Sequence, residues 1–100
     1  MAVVSMMSFS GDAEELHSKM RGMTDVARGL ARRHGGLGTI IARTDDGIMV
    51  INLWENEEGR HSMAQEPAVQ EGLASAGLPA PAFTGYEVLE MHILPEAVTD

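Results

Sequence analysis

Asp46-Gly47-Ile48-Met49-Val50-Ile51-Asn52-Leu53-Trp54-Glu55-Asn56-Glu57-Glu58 is the stretch whose reading decides the fold. It reads as a tight turn, then a strand, then a helix start. Asp46-Gly47 predicts a two-residue type I′ hairpin turn, because that turn needs positive φ at both positions. Strands over residues 37–44 and 48–55 then flank it. In that register Arg43 faces Val50, Ile41 faces Asn52 and Thr39 faces Trp54. Alternation gives one wholly apolar face, Ile40, Ala42, Met49, Ile51 and Leu53. The other face is mixed and carries Thr39, Ile41, Arg43, Ile48, Val50, Asn52 and Trp54. A sheet of this kind buries one side in its core and keeps a use for the other.

Outward from the hairpin, residues 2–9 form an apolar run that ends at Ser10-Gly11 and reads as a strand. Asp12-Ala13-Glu14-Glu15 has the form of a capping box. One long helix follows, with Leu16, Met20, Met23, Ala27, Leu30 and His34 on a single buried stripe, until Gly35-Gly36 ends it. Asn56 caps a second helix over residues 57–65. Pro67 opens a further short helix that Gly77 stops. Residues 83–93 form a last strand with apolar groups on both faces, so it is expected to be covered on both sides or to meet another subunit. The order β-α-β-β-α-β is the ferredoxin-like arrangement, an α+β fold with a four-stranded antiparallel sheet in one domain over residues 1–100.

The bulk properties narrow the function. A net charge of −8 argues against nucleic acid as a partner. All seven Lys and Arg fall between Lys19 and Arg60, which makes the long helix basic; a solvated helix face is the plain explanation. With no Cys, disulfides and thiol catalysis are excluded. The first residues lack a basic n-region and a cleavage site, and no apolar run approaches membrane-spanning length. A cytoplasmic protein with no membrane association is the expectation.

On the strand, long helix, Gly-Gly, hairpin, Leu53-Trp54-Glu55-Asn56-Glu57-Glu58 and Pro67, nearly the whole chain resembles the dimeric α+β barrel proteins, within them the antibiotic-biosynthesis-monooxygenase-like group. The resemblance implies a homodimer whose sheets face each other to form a dimeric α+β barrel, with a cavity between sheet and helices in each subunit. It also implies cofactor-free oxygenation of a small aromatic or polyphenolic molecule as one activity of such proteins, and haem degradation as another. The haem-degrading members place an Asn, a Trp and a His where this chain has Met7, Met63 and Gly72, and glycine cannot ligate iron. The polyphenol oxygenases place an Asn four residues before the strand-end Trp. Val50 stands there in this chain, with Asn52 two residues before Trp54 on the same face.

The resemblance thus implies a monooxygenase-like protein; Asn52, Trp54, Tyr86 and Met63 are the candidate substrate contacts, and His61 or His92 the candidate general base, because imidazole titrates near neutral pH. No metal site is expected, since no two of the four His are spaced i, i+4; no cofactor is expected either, because in the oxygenase reading dioxygen reacts directly with a substrate carbanion. The alternative is a dimeric binding or accessory module without activity. In that case the cavity is filled by Met20, Met23 and Met63. As a core anchor, Trp54 would lock the second helix to the sheet.

Overall fold

The computed structural model describes residues 1–79 and 81–92. Eight elements follow one another: β1 Val3–Ser10, α1 Ala13–Arg21, α2 Thr24–Arg33, β2 Gly36–Arg43, β3 Gly47–Trp54, α3 Glu57–Ala64, α4 Pro67–Ser75 and β4 Ala82–Glu87. The strands form one antiparallel sheet in the order β2-β3-β1-β4. This is the ferredoxin-like arrangement, with each helical crossover made of two short helices.

Local chemistry explains most boundaries. Asp12 accepts from the Glu15 N–H at 3.0 Å and Asn56 from the Gly59 N–H at 2.7 Å, so each fills an orphan donor at a helix start. Glu15 turns instead toward Lys19, 3.3 Å away, and does not close the capping box. Pro67 occupies the first turn of α4, where its missing N–H costs nothing. Gly35 and Gly77 take φ of 80° and 72° and stop α2 and α4 in a conformation that other residues resist.

Three expectations are corrected. The long helix is two helices, α1 and α2, parted at Gly22-Met23. Glycine is a weak helix former, and the Met23 N–H bonds back only three residues to the Met20 carbonyl. The buried stripe survives the break, with Leu16, Met20 and Leu30 buried. The last strand stops at Glu87 and does not run to residue 93. Its sole neighbour β1 begins at Val3, opposite Glu87, and the Val88 N–H makes one final bond to the Ala2 carbonyl. Position 93 itself lies outside the described residues.

The third correction is the hairpin register. Arg43 pairs with Ile48, Ile41 with Val50 and Thr39 with Asn52, a shift of two from the type I′ register. The loop is Asp45-Asp46, and Thr44 and Gly47 close it. The Thr44 N–H donates to the Gly47 carbonyl at 2.9 Å, and the Gly47 N–H donates to Thr44 Oγ1 at 3.0 Å. Among the described residues φ is positive only at Gly11, Gly35 and Gly77, so no type I′ turn forms. Gly47 is needed for a different reason: a Cβ there would stand 2.0 Å from the Phe9 carbonyl oxygen of β1. A shift of two keeps every side chain on its face, so the assignment of faces stands.

The helices lie on the mixed face. Val3, Ser5 and Phe9 of β1 and Ile48, Val50 and Trp54 of β3 are buried beneath them. The buried residues form two clusters. Phe9, Leu16, Met20, Ile48 and Val50 make one, and Val3, Leu30, Trp54 and Met63 the other. The opposite face, with Met6, Ile40, Met49, Ile51 and Tyr86, has no covering layer among the described residues. Ile40 and Tyr86 are 60% and 57% exposed there.

Gly47→Ala is expected to destabilise the fold by about 2 kcal/mol or more, since β1 and β3 must part to admit a methyl group. Urea denaturation of the two proteins measures this. A loss near zero would contradict the close approach described.

Candidate functional site

Small side chains on α2 make room under the helices. Ala27 and Ala31 line the space together with Asn52 and Trp54, and α4 buries no residue completely. The result is a cavity of about 800 Å³ between the mixed face and the helices. Its floor includes Met7, Phe9, Asn52 and Trp54, and Met20, Met23 and Met63 lie on the helical side. The methionines line this space without filling it.

Trp54 is 5% exposed. Its indole N–H donates to Ser5 Oγ at 3.0 Å in the buried interior. The ring borders the cavity with little of its surface open, and its polar atom is already satisfied. Asn52 is half-buried, and its Oδ1 accepts from the Thr39 hydroxyl at 2.8 Å. With the oxygen so engaged, the carboxamide NH2 is the group left to donate toward a ligand. Asn52, Trp54 and Met63 thus meet at one cavity.

The remaining candidates do not join them. His61 is exposed on α3 and is absent from the lining. His92 lies past β4, its side chain 75% exposed, with Nε2 2.8 Å from Glu90 Oε2. Tyr86 points from β4 into the uncovered face of the sheet, opposite the cavity, because it pairs with Val4 in the alternate register. His34 has a structural setting. Its Nε2 lies 2.8 Å from Glu66 Oε1, joining the end of α2 to the start of α4. Met7 and Met63 line the cavity, and Gly72 packs so that a Cβ would lie 3.2 Å from Met23 Cε. Among the described residues no group of three or more His, Asp or Glu converges, and no helix is long and apolar enough to cross a membrane.

Several lining residues escaped the sequence reading. Ser5 sat unnoticed in an apolar strand, and only the β1–β3 register places it beside Trp54. Thr39 was set opposite Trp54, and the corrected register puts it opposite Asn52. Arg28, Arg32 and Arg60 edge the cavity. The i, i+4 spacing of Arg28 and Arg32 was the available signal that they share a helix face. Arg60 Nε donates to Glu57 Oε1 at 2.8 Å, and its guanidinium stands 5.3 Å from the centre of the Phe83 ring. The hydrogen bond from Arg60 holds the Glu57 carboxyl below its ordinary range, and Glu57 in turn raises Arg60.

Ser5→Ala would leave the Trp54 N–H unpaired in the interior, at a cost of about 1–3 kcal/mol. Ser5→Ala combined with Trp54→Phe is expected to cost less than the two single losses summed, since both remove the same bond. Chemical denaturation of the four proteins completes the cycle, and strict additivity would contradict the bond.

No family model matches the sequence, and no curated protein does. Solved structures do match along nearly the full length. A protein from Deinococcus radiodurans assigned to the antibiotic biosynthesis monooxygenases matches with a TM-score of 0.66 at 19% identity, covering 96% of this chain and 100% of that one. SnoaB, a cofactor-independent oxygenase from Streptomyces nogalater, matches at 0.60 and 17%, covering 95% and 96%. A monooxygenase from the gene ActVA-Orf6 of Streptomyces coelicolor, in complex with nanaomycin D, matches at 0.64 and 20%, covering 95% and 92%. At these identities the likeness is one of backbone. With its four-stranded antiparallel sheet, paired helical crossovers and cavity beneath Trp54, the chain has the ferredoxin-like fold of the antibiotic-biosynthesis-monooxygenase-like proteins.

Proposed function

We propose that the protein is a homodimeric, monooxygenase-like protein that handles a small aromatic or polyphenolic molecule in the cavity between sheet and helices. The observation that carries this reading is the open space of about 800 Å³ with the Trp54 ring and the Asn52 carboxamide at its floor. A flat apolar wall and one placed amide donor suit a planar, oxygenated ring system. The three solved structures of the same fold include two oxygenases, one of them holding nanaomycin D.

In the oxygenase reading a CH2 group between two hydroxylated rings loses a proton and leaves a delocalised carbanion. Dioxygen oxidises that carbanion. One oxygen atom becomes the new ketone oxygen and the other leaves as water with the two hydrogens lost from carbon, so dioxygen supplies both the oxidant and the oxygen atom. Asn52 would donate to the anionic oxygen of the substrate, and Trp54 and Met63 would hold the ring. A second reading, a binding module without activity, draws on one observation: neither His61 nor His92 lines the cavity.

Oxygen uptake with a panel of hydroxylated polycyclic phenols, run beside Trp54 fluorescence titrations, separates the two. Uptake that Asn52→Ala lowers at least about tenfold supports the oxygenase, in line with the loss of one hydrogen-bond donor to developing charge. Saturable quenching without uptake supports the binding module. No quenching and no uptake across the panel would contradict both.

The homodimer reading rests on the uncovered face. Met6, Ile40, Met49, Ile51 and Tyr86 form a continuous apolar layer that a second copy of the sheet would cover. Ile40→Glu is expected to shift sedimentation from dimer to monomer without loss of helical signal. A protein that sediments as a monomer before substitution would contradict the assembly.

A further inference from the structure

The cavity carries the opposite charge to the chain. Fifteen Asp and Glu stand against seven Lys and Arg in the sequence. Among the described residues no carboxylate lines the cavity, yet Arg28, Arg32 and Arg60 all do. Arg60 is committed to Glu57 and to the Phe83 ring. Arg28 and Arg32 are different. They lie one helical turn apart on α2, both exposed at the mouth, and neither forms an ion pair among the described residues. A merely solvated helix face does not account for them as a pair. Arg21 and Arg33 serve such a face, on either side of them, and do not reach the cavity.

An arginine fork binds a carboxylate through two parallel hydrogen bonds, which a lone ammonium cannot do. A low-dielectric pocket rimmed by one sign of charge also concentrates ligands of the other sign. We propose that the cavity selects an aromatic ligand bearing a carboxylate, with the carboxylate held at the mouth by Arg28 and Arg32 and the ring system inserted toward Trp54. This rests on the reading of the cavity as an aromatic-ligand site and adds the acidic group that such a ligand carries.

Calorimetric titration with 1-hydroxy-2-naphthoate and with its methyl ester tests it, because the two probes share the ring and differ in charge. The acid is expected to bind about tenfold more tightly than the ester at low ionic strength, the scale of charge-assisted hydrogen bonds at a partly exposed site. In Arg28→Gln/Arg32→Gln that preference disappears while the ester binds as before. Both substitutions are at exposed positions, and circular dichroism confirms that the fold is kept. Equal binding of acid and ester to the unsubstituted protein overturns the proposal and leaves the aromatic site standing, as does a preference that survives the double substitution. If neither probe binds, the aromatic site falls and the proposal with it.

Discussion

The register of β3 is the constraint on which the other features depend. It is hydrogen-bonded on both sides, to β1 and to β2, along nearly its whole length. At its first residue the absence of a side chain lets Gly47 sit against the Phe9 carbonyl. At its last, Trp54 meets Ser5 through a buried hydrogen bond. Those two contacts lock the strand at both ends. A slip of one residue would send Ile48, Val50, Asn52 and Trp54 to the uncovered face and Met49, Ile51 and Leu53 beneath the helices. Core, cavity and outer apolar layer would all exchange places.

Given that register, the cavity is a matter of side-chain volume. The helices are anchored at the two core clusters by Leu16, Met20, Leu30 and Met63. Beside those anchors α2 presents only the small side chains of Ala27 and Ala31, packed against the second cluster. Methionines border the space with flexible, polarizable side chains, which suits a wall that adapts to a ligand's outline. Charge completes the picture: among the described residues the carboxylates lie elsewhere, and arginines edge the space. Shape and electrostatics thus converge on one location.

Much of the fold was legible because it is written in alternation and end signals. Asp12, Asn56, Pro67, Gly35 and Gly77 mark their boundaries through local backbone chemistry, and the stripe from Leu16 to His34 survives even where Gly22 interrupts the helix. The turn was misread because Asp-Gly has two uses. Positive φ is one; the close approach of another strand is the other, and it depends on Phe9, a partner distant in sequence. The site was only half legible for the same reason. Asn52 and Trp54 declare themselves through their strand, and Met63 through its helix. Ser5, Thr39 and the paired arginines acquire meaning only when distant segments meet. His61, His92 and Tyr86 were attractive for their chemistry, and nothing in one sequence says toward which side of a sheet or helix such a group will turn when the two sides are alike in polarity.

The central claim is that ligands enter beneath the mixed face of the sheet and not elsewhere. Methionine methyl groups report on both sides of that sheet: Met7, Met20, Met23 and Met63 border the cavity, while Met6 and Met49 lie on the far face. The direct measurement is a titration of ¹³C-methyl-methionine protein with 1-hydroxy-2-naphthoate, followed by NMR together with the single indole N–H of Trp54. The account predicts that the four cavity methyl signals and the indole signal shift together along one saturable curve, with Met6 and Met49 unmoved. Shifts confined to Met6 and Met49, or none at any methyl group, would contradict it.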